Sequence, residues 1–251
     1  MKNIIVLFFL LVLSGVSYAQ KNIEIKYNEV ITYKTHIGWQ KPPEHLSTLY
    51  INDDESCFIL LKPYGEVKHL SVEKGEIYYD SGTKYPNFII NKYKSDHLTF
   101  LGQFFKKYCL VKDNKPSIQW KISNETKKVG EYTIQKATGE FRGRKYTAWF
   151  SSQVPLSLGP WKLIGLPGLI FEAYDSTGNV SFQLTSIKNK KGKIKFDVAK
   201  LENKTWKEYK DCYQKSWKKI SAYLTSFENE NLHVSTPKIS GVMELTLIDE
   251  K

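Results

Sequence analysis

Gly165-Leu-Pro-Gly-Leu-Ile170, entered through Gly159-Pro160-Trp161, decides how this chain folds. Two glycines bracket Leu166-Pro167, and apolar, strand-like sequence lies on both sides. Proline holds φ near about −65° and glycine accepts φ > 0, so Leu166 to Leu169 suits a type II turn with Gly168 in the left-handed region. Such a turn splays the strands of a hairpin. The run is therefore expected to form an arch that carries the chain from one part of a sheet to another. Gly165 is expected to permit close backbone approach. Beyond the turn, Leu169, Phe171 and Ala173 fall on one face and Ile170, Glu172 and Tyr174 on the other, which marks a largely buried strand. The motif residues Gly159, Pro160, Trp161, Gly165, Leu166, Pro167, Gly168, Leu169 and Ile170 hold almost no reactive atoms, so they read as scaffold.

Strand-like alternation fills the sequence upstream of this arch. Ile23, Ile25 and Tyr27, then Val30 and Thr32, mark a long opening strand whose parity changes near Asn28, as at a bulge. Further β-rich runs are expected at Leu46–Ile51, Cys57–Leu61, Val67–Val72, Glu76–Tyr79, Asn87–Tyr93, Leu98–Phe105 and Tyr108–Lys112. Polar turns such as Asn52-Asp53-Asp54 and Asp113-Asn114 separate them, the spacing of an antiparallel meander. Ile118–Ile122, Glu131–Phe141, Lys145–Phe150, Leu169–Tyr174, Val180–Ile187 and Lys193–Val198 continue the pattern, with Gly143 turning one hairpin. Thr205 followed by Glu208 is a capping-box signature. Trp206, Tyr209, Tyr213, Trp217, Ile220, Leu224 and Phe227 then recur at helical steps, with Lys207, Lys210, Lys218 and Lys219 on the opposite side. Val242–Ile248 alternates like a last strand. The expected fold is mainly β with one long C-terminal α-helix: a strongly bent antiparallel sheet or incomplete barrel covered by that helix.

Residues 1–19 read as a secretory signal peptide, with Lys2, an apolar run from Ile4 to Leu13, and Ser17-Tyr18-Ala19 before the cut. Residues 20–251 then form a single domain, exported to the periplasm or the outer membrane, with no transmembrane segment in the mature chain. The net charge of +11, of which the leader carries only Lys2, favours acidic partners such as lipid headgroups or an acidic protein face. Nucleic acid is not the expected partner of an exported protein. Three cysteines, Cys57, Cys109 and Cys212, lack CxxC spacing, and an odd number leaves at least one thiol free even where two pair.

Trp120-Lys-Ile, Glu125-Thr-Lys, Gly130-Glu-Tyr132, Lys136-Ala137, Phe141-Arg-Gly-Arg144, Tyr146-Thr-Ala-Trp149-Phe150, Val154-Pro155, Gly159-Pro160-Trp161 and the hexapeptide follow one another in order. This series closely resembles the GLPGLI family, strongly over residues 118–187 and loosely over 20–225. The resemblance implies an exported Bacteroidota protein with no established activity, and some members look associated with TonB-dependent outer-membrane transporters. One departure is visible: many relatives carry a cysteine where this chain has Ile134. The expected sheet and helix also look similar to the half-barrel of periplasmic lipoprotein carriers, a likeness of architecture alone.

Reactive constellations are not evident. The five histidines show no metal-ligand spacing, so no metal or cofactor is expected. Gly-x-Ser-x-Gly, a paired carboxylate motif and a phosphate-binding glycine loop are all missing. Arg142 and Arg144 flank a turn glycine, and Lys188, Lys190, Lys191, Lys193 and Lys195 crowd another turn. Together they form either a positive rim or simply a solvated edge. Arg142, Arg144, Trp149 and Trp161 are thus the candidate contacts for a ligand or partner, with burial as core anchors the alternative for the tryptophans. The first functional expectation is a non-enzymatic binding or accessory protein for an envelope protein or apolar ligand, the family resemblance adding an outer-membrane transporter as partner. The alternatives are a carrier of a small apolar ligand or lipid, and a metal-handling protein or enzyme whose site assembles only in three dimensions.

Overall fold

The computed structural model describes residues 22–31, 33–35, 38–40, 45–60, 69–73, 76–80, 87–104, 107–189, 193–194 and 200–225. The leader, the run Val242–Ile248 and the lysines at 190, 191 and 195 lie outside the described residues. The strands are β1 (Ile23–Ile31), β2 (Tyr33–Thr35), β3 (Gly38–Gln40), β4 (His45–Ile51), β5 (Glu55–Leu60) and β6 (His69–Glu73). They continue as β7 (Glu76–Asp80), β8 (Asn87–Lys92), β9 (His97–Phe104), β10 (Lys107–Asn114), β11 (Lys121–Val129) and β12 (Tyr132–Phe141). Next come β13 (Arg144–Ser151), β14 (Leu169–Asp175), β15 (Val180–Asn189), β16 (Lys193–Ile194) and β17 (Glu202–Thr205), and α1 (Trp206–Thr225) follows.

Twelve strands make one sheet in the order β11-β12-β13-β14-β15-β1-β4-β5-β8-β9-β10-β17, and it does not close into a barrel. All its pairings are antiparallel except β10 with β17. The opening strand lies mid-sheet, between β15 and β4, and joins the early half of the chain to the late half. Its register with β15 shifts between Lys26 and Tyr27, close to the parity change read near Asn28. The sheet bends back over itself. Asp113 of β10 bonds Arg142 at the β12–β13 turn, although those strands stand far apart in the sheet order. The bend encloses one large apolar cluster that includes Tyr27, Phe58, Phe100, Phe150, Ile170 and Phe182. β11 starts at Lys121 and runs to Val129, longer than the Ile118–Ile122 run expected, because the Gly130-Glu131 turn lets it pair with β12.

The hairpin at 141–144 is a two-residue turn with φ of +50° at Arg142 and +80° at Gly143, the handedness that matches strand twist. α1 begins as its sequence indicates. Thr205 Oγ1 accepts from the Glu208 N–H at 3.3 Å, while Glu208 Oε2 accepts from the Thr205 N–H at 2.7 Å. Tyr209 is buried between Phe100 and Phe104, and Lys207, Lys218 and Lys219 face solvent. Thr205→Ala leaves the first turn without its cap and is expected to lower stability by about 1 kcal/mol, read as a fall of a few degrees in Tm. An unchanged melting curve would show that the tertiary contacts of Tyr209 alone hold the helix start.

Candidate functional site

The chain leaves β13 at Ser151 and returns as β14 at Leu169 through an arch, residues 152–168, that turns into the bent sheet. Leu158, Trp161, Lys162, Leu163 and Leu166 are all buried there, while Pro167 faces solvent. Short-range hydrogen bonds crimp the path. The N–H groups of Leu156, Leu158 and Gly168 donate to the carbonyls of Val154, Leu156 and Leu166 at 2.7, 2.7 and 2.8 Å. Each bond closes three residues, and Pro155 and Pro167 occupy two of the centres, where a fixed φ suits an inverse γ-turn. The expected type II turn is therefore not formed, and Gly168 is not in the left-handed region. Gly165 has that role, with φ +99°, and a Cβ there would meet nothing closer than Trp120 at 3.8 Å. Gly168 is needed for space, since a Cβ would stand 2.1 Å from the Ser151 carbonyl oxygen. The two glycines have exchanged the roles read from sequence.

Three strands of contact anchor the arch. Tyr27 of β1 donates its hydroxyl to the Ile170 carbonyl at 2.8 Å, and Trp120 donates Nε1–H to the Ile164 carbonyl at 2.9 Å. Trp161 adopts φ +55°, strained for a bulky residue, and its ring packs on Phe141 and Tyr146 at 5.5 and 6.3 Å. A void of about 10 Å³ lies between the arch and the sheet, lined by Ser56, Asn91, Trp161 and Lys162 among others, room for about one water.

A charged cluster completes the anchorage. Asp113 is 2 % exposed; Oδ1 accepts from Arg142 Nη2 at 2.6 Å and Oδ2 from Lys162 Nζ at 3.0 Å. The Lys162 ammonium stands 3.9 Å from the Phe100 ring centroid, and the Arg142 guanidinium 4.0 Å from that of Trp206. β10, the β12–β13 turn, the arch and α1 are thereby joined at one point. Arg144 is also buried and donates Nη1–H to Asp175 Oδ2 at 2.6 Å. Burial would raise the Asp175 pKa, but bonds from Thr177, the Val180 N–H and Arg144 outweigh it and hold the carboxyl below its usual range. The expected place of the two arginines on a basic rim is thus corrected: both turn inward to buried carboxylates, because those partners emerge from strands that converge beneath the hairpin. Trp161 is likewise a core anchor and offers no surface for stacking.

Sequence reasoning missed Asp113 and Lys162. Asp113-Asn114 has the composition of a turn, yet it lies within β10, and its partner Lys162 is distant in sequence. No local signal marks that pairing; the lysine within the apolar run Trp161-Lys-Leu-Ile164 was the visible hint.

Glu29 is another buried charge-bearing group, 1 % exposed, and neither carboxyl oxygen makes a well-aligned hydrogen bond among the described residues, although the Ser47 hydroxyl lies close enough to interact. Burial pushes its pKa up to about 8, Ser47 opposing the rise. An unfolded glutamate ionises near 4.5, so between that value and 8 the folded chain holds the extra proton, and stability falls as pH rises through this window. Glu29→Gln removes this dependence. The variant is expected to match the parent near pH 5 and to exceed its Tm at pH 8, with an upper bound of roughly 1.4 kcal/mol per pH unit crossed. Parallel Tm curves at both pH values would show that Glu29 keeps its charge when folded.

The solvent side of β11–β15 is a different surface. Register places Lys121, Thr138, Thr147, Tyr174 and Ser181 in one cross-strand row, and Lys136, Trp149, Glu172 and Gln183 in the next. Trp149 lies under the Lys127 ammonium, 4.5 Å from the ring centroid, and Lys127 bonds Glu172 at 2.6 Å. Lys136 bonds both oxygens of Glu125 at 2.9 Å. A groove of about 540 Å³, lined by Ser117, Thr138, Lys145, Thr147 and Ser176 among others, opens on this face. Tyr174, 40 % exposed, sits beside Thr147. Of the four contacts expected from sequence, Trp149 alone belongs to this face. No group of three His, Cys, Asp or Glu among the described residues is placed to hold a metal ion, and no described helix is long and apolar enough to cross a membrane.

Residues 140–172 match the model of a family described as "Protein of unknown function (Porph_ging)", found in Bacteroidota. The matched segment takes in the Arg142–Arg144 turn, β13, the arch and the start of β14. Among curated proteins none matches the chain. Two solved structures are similar in fold, "Structure of PNGF-II in P21 space group" and "Structure of PNGF-II in C2 space group". The first has a TM-score of 0.52 at 17% identity and the second 0.51 at 18%. They are matched by 78% and 79% of this chain, which spans only about a third, 34% and 33%, of theirs. At that identity the likeness concerns the fold alone.

Proposed function

We propose that the protein is a non-enzymatic envelope protein that holds a protein partner on the solvent face of β12–β15. One observation supports this most: the arch fills the concave side behind that face with Leu158, Trp161, Leu163 and Leu166. An apolar ligand has little room there, so the partner reading is preferred to the carrier reading. The charged groups around the arch are committed to one another, which fits a structural role. The groove exposes more apolar than polar surface between its hydroxyls, and Tyr174 on the same face is exposed, an aromatic side chain of the kind enriched in protein interfaces. Lys127, Lys136 and Lys145 are matched by Glu172, Glu125 and Glu140, which leaves most of the recognition here to shape and hydrogen bonds.

The compartment and the partner class rest on the leader and on the GLPGLI resemblance, which together favour export and an outer-membrane transporter. Photo-crosslinking in intact source cells tests both. A photoreactive residue at Thr147 is expected to give a discrete adduct with an outer-membrane protein, and one at Lys112, on the other half of the sheet, is not. Equal adducts from both positions, or none from Thr147 in a folded protein, would remove this face as the interface.

A further inference from the structure

We propose that Cys109 and Cys212 form a thiol pair that closes to a disulfide and latches α1 to the sheet. The reading is independent of what binds the β12–β15 face. Both cysteines are free, and they come from different elements, β10 and α1. Their convergence follows from Gly102. Cys109 stands opposite Gly102 in the β9–β10 register and its Sγ–H donates to the Gly102 carbonyl at 3.8 Å. Tyr209 of α1 lies on the same glycine, where a Cβ would be 2.8 Å from its ring. Cys212 follows Tyr209 by one helical turn, on the same side of the helix. Lys204, opposite Val111 in the β10–β17 pair, acts electrostatically on both sulfurs, and the two sulfurs act electrostatically on each other, which places all three groups in one neighbourhood.

Accessibility assigns the order of events. Cys109 is fully buried, and burial pushes its thiol up to about 11, with Lys204 opposing and Cys212 adding to the rise. Cys212 is only partly buried, so it meets an oxidant first. Its thiolate attacks one sulfur of a small-molecule disulfide, forming a mixed disulfide and expelling one thiolate. Cys109 then loses its proton, its sulfur attacks Cys212 Sγ, and the second thiolate leaves. Two protein thiols are oxidised by two electrons in total, and one disulfide is reduced to two thiols. The bond would close a loop of about a hundred residues, and a crosslink restricts the unfolded chain more the longer the loop it closes.

The test uses the purified mature chain in oxidised or reduced glutathione, followed by thiol counting and non-reducing peptide mapping. Two of the three thiols are expected to disappear as a peptide joining Cys109 to Cys212, with Cys57 unmodified. Tm is expected to rise by about 5 °C or more on oxidation, and to stay put in Cys212→Ser. Cys212 carrying glutathione alone, a bridge that uses Cys57, or an equal rise in Cys212→Ser would each overturn the pairing.

Discussion

Gly168→Val is expected to leave no cooperatively folded protein. The added Cβ would stand 2.1 Å from the Ser151 carbonyl oxygen, 2.5 Å from its carbon and 2.8 Å from the Ser152 nitrogen. These are main-chain atoms, so no rotamer change relieves the clash. Overpacking against yielding side chains costs about 1–3 kcal/mol. Here the end of β13 has to move, and with it the bonds from Leu169 N–H to Val154 and from Ile170 N–H to Leu158. A loss of about 5 kcal/mol or more is expected, comparable to the whole stability of many domains. Gly165→Ala is the matched control. It forces a side chain into φ +99° but meets only the Trp120 ring at ordinary contact distance, so it should cost only about 1–3 kcal/mol and still fold. Urea unfolding distinguishes the two. A Gly168→Val midpoint equal to that of Gly165→Ala would mean that the arch yields readily and that close packing is not its purpose.

That pair of glycines shows where sequence reading stops. Local chemistry identified an arch at the correct place, because a Leu-Pro-Gly-Leu run with strands on both sides restricts the backbone whatever surrounds it. It assigned the wrong glycine to the left-handed conformation, because the crowding at Gly168 comes from Ser151, which the chain reaches only after closing the arch. Strand positions were legible for a similar reason: alternation along β10 and β13 is set by each strand's own two faces. The helix start was legible because Thr205 and Glu208 make their capping box within four residues. Arg142 and Arg144 show the converse. Their residue type and turn position indicate exposure, yet each is drawn inward by a carboxylate remote in sequence, Asp113 from β10 far across the sheet order and Asp175 from the end of neighbouring β14, and nothing in Phe141-Arg-Gly-Arg144 announces either. Trp149 and Trp161 separate in the same way. One stays on the solvent face beneath Lys127 and the other is buried against Phe141 and Tyr146, although the buried one is the tryptophan with a lysine next to it in sequence.

Asp113→Asn is expected to cost more than any single change to the cations around it. The carboxylate faces two of them, Arg142 at 2.6 Å and Lys162 at 3.0 Å, in a setting where Lys162 is 1 % exposed. Removing one partner of a buried ion pair leaves the other charge poorly compensated and costs about 3–5 kcal/mol. Lys162→Met is the informative counterpart. Asp113 retains Arg142, and the methionine stem keeps apolar contact near Phe100 and Trp206, so a smaller loss of roughly 1–2 kcal/mol is expected. The double variant should cost less than the two single losses added together, because both changes act on one network. Glu140→Gln calibrates the scale, since Glu140 and Lys145 are 72% and 74% exposed and such a pair contributes little. Urea midpoints for the four variants give the ordering directly. If Lys162→Met cost as much as Asp113→Asn, the cluster would be held by the ammonium against the Phe100 and Trp206 rings, and the carboxylate would only accompany it. If Asp113→Asn instead melted with the parent, the bend that brings β10 to the β12–β13 turn would have to be sustained by the apolar cluster alone.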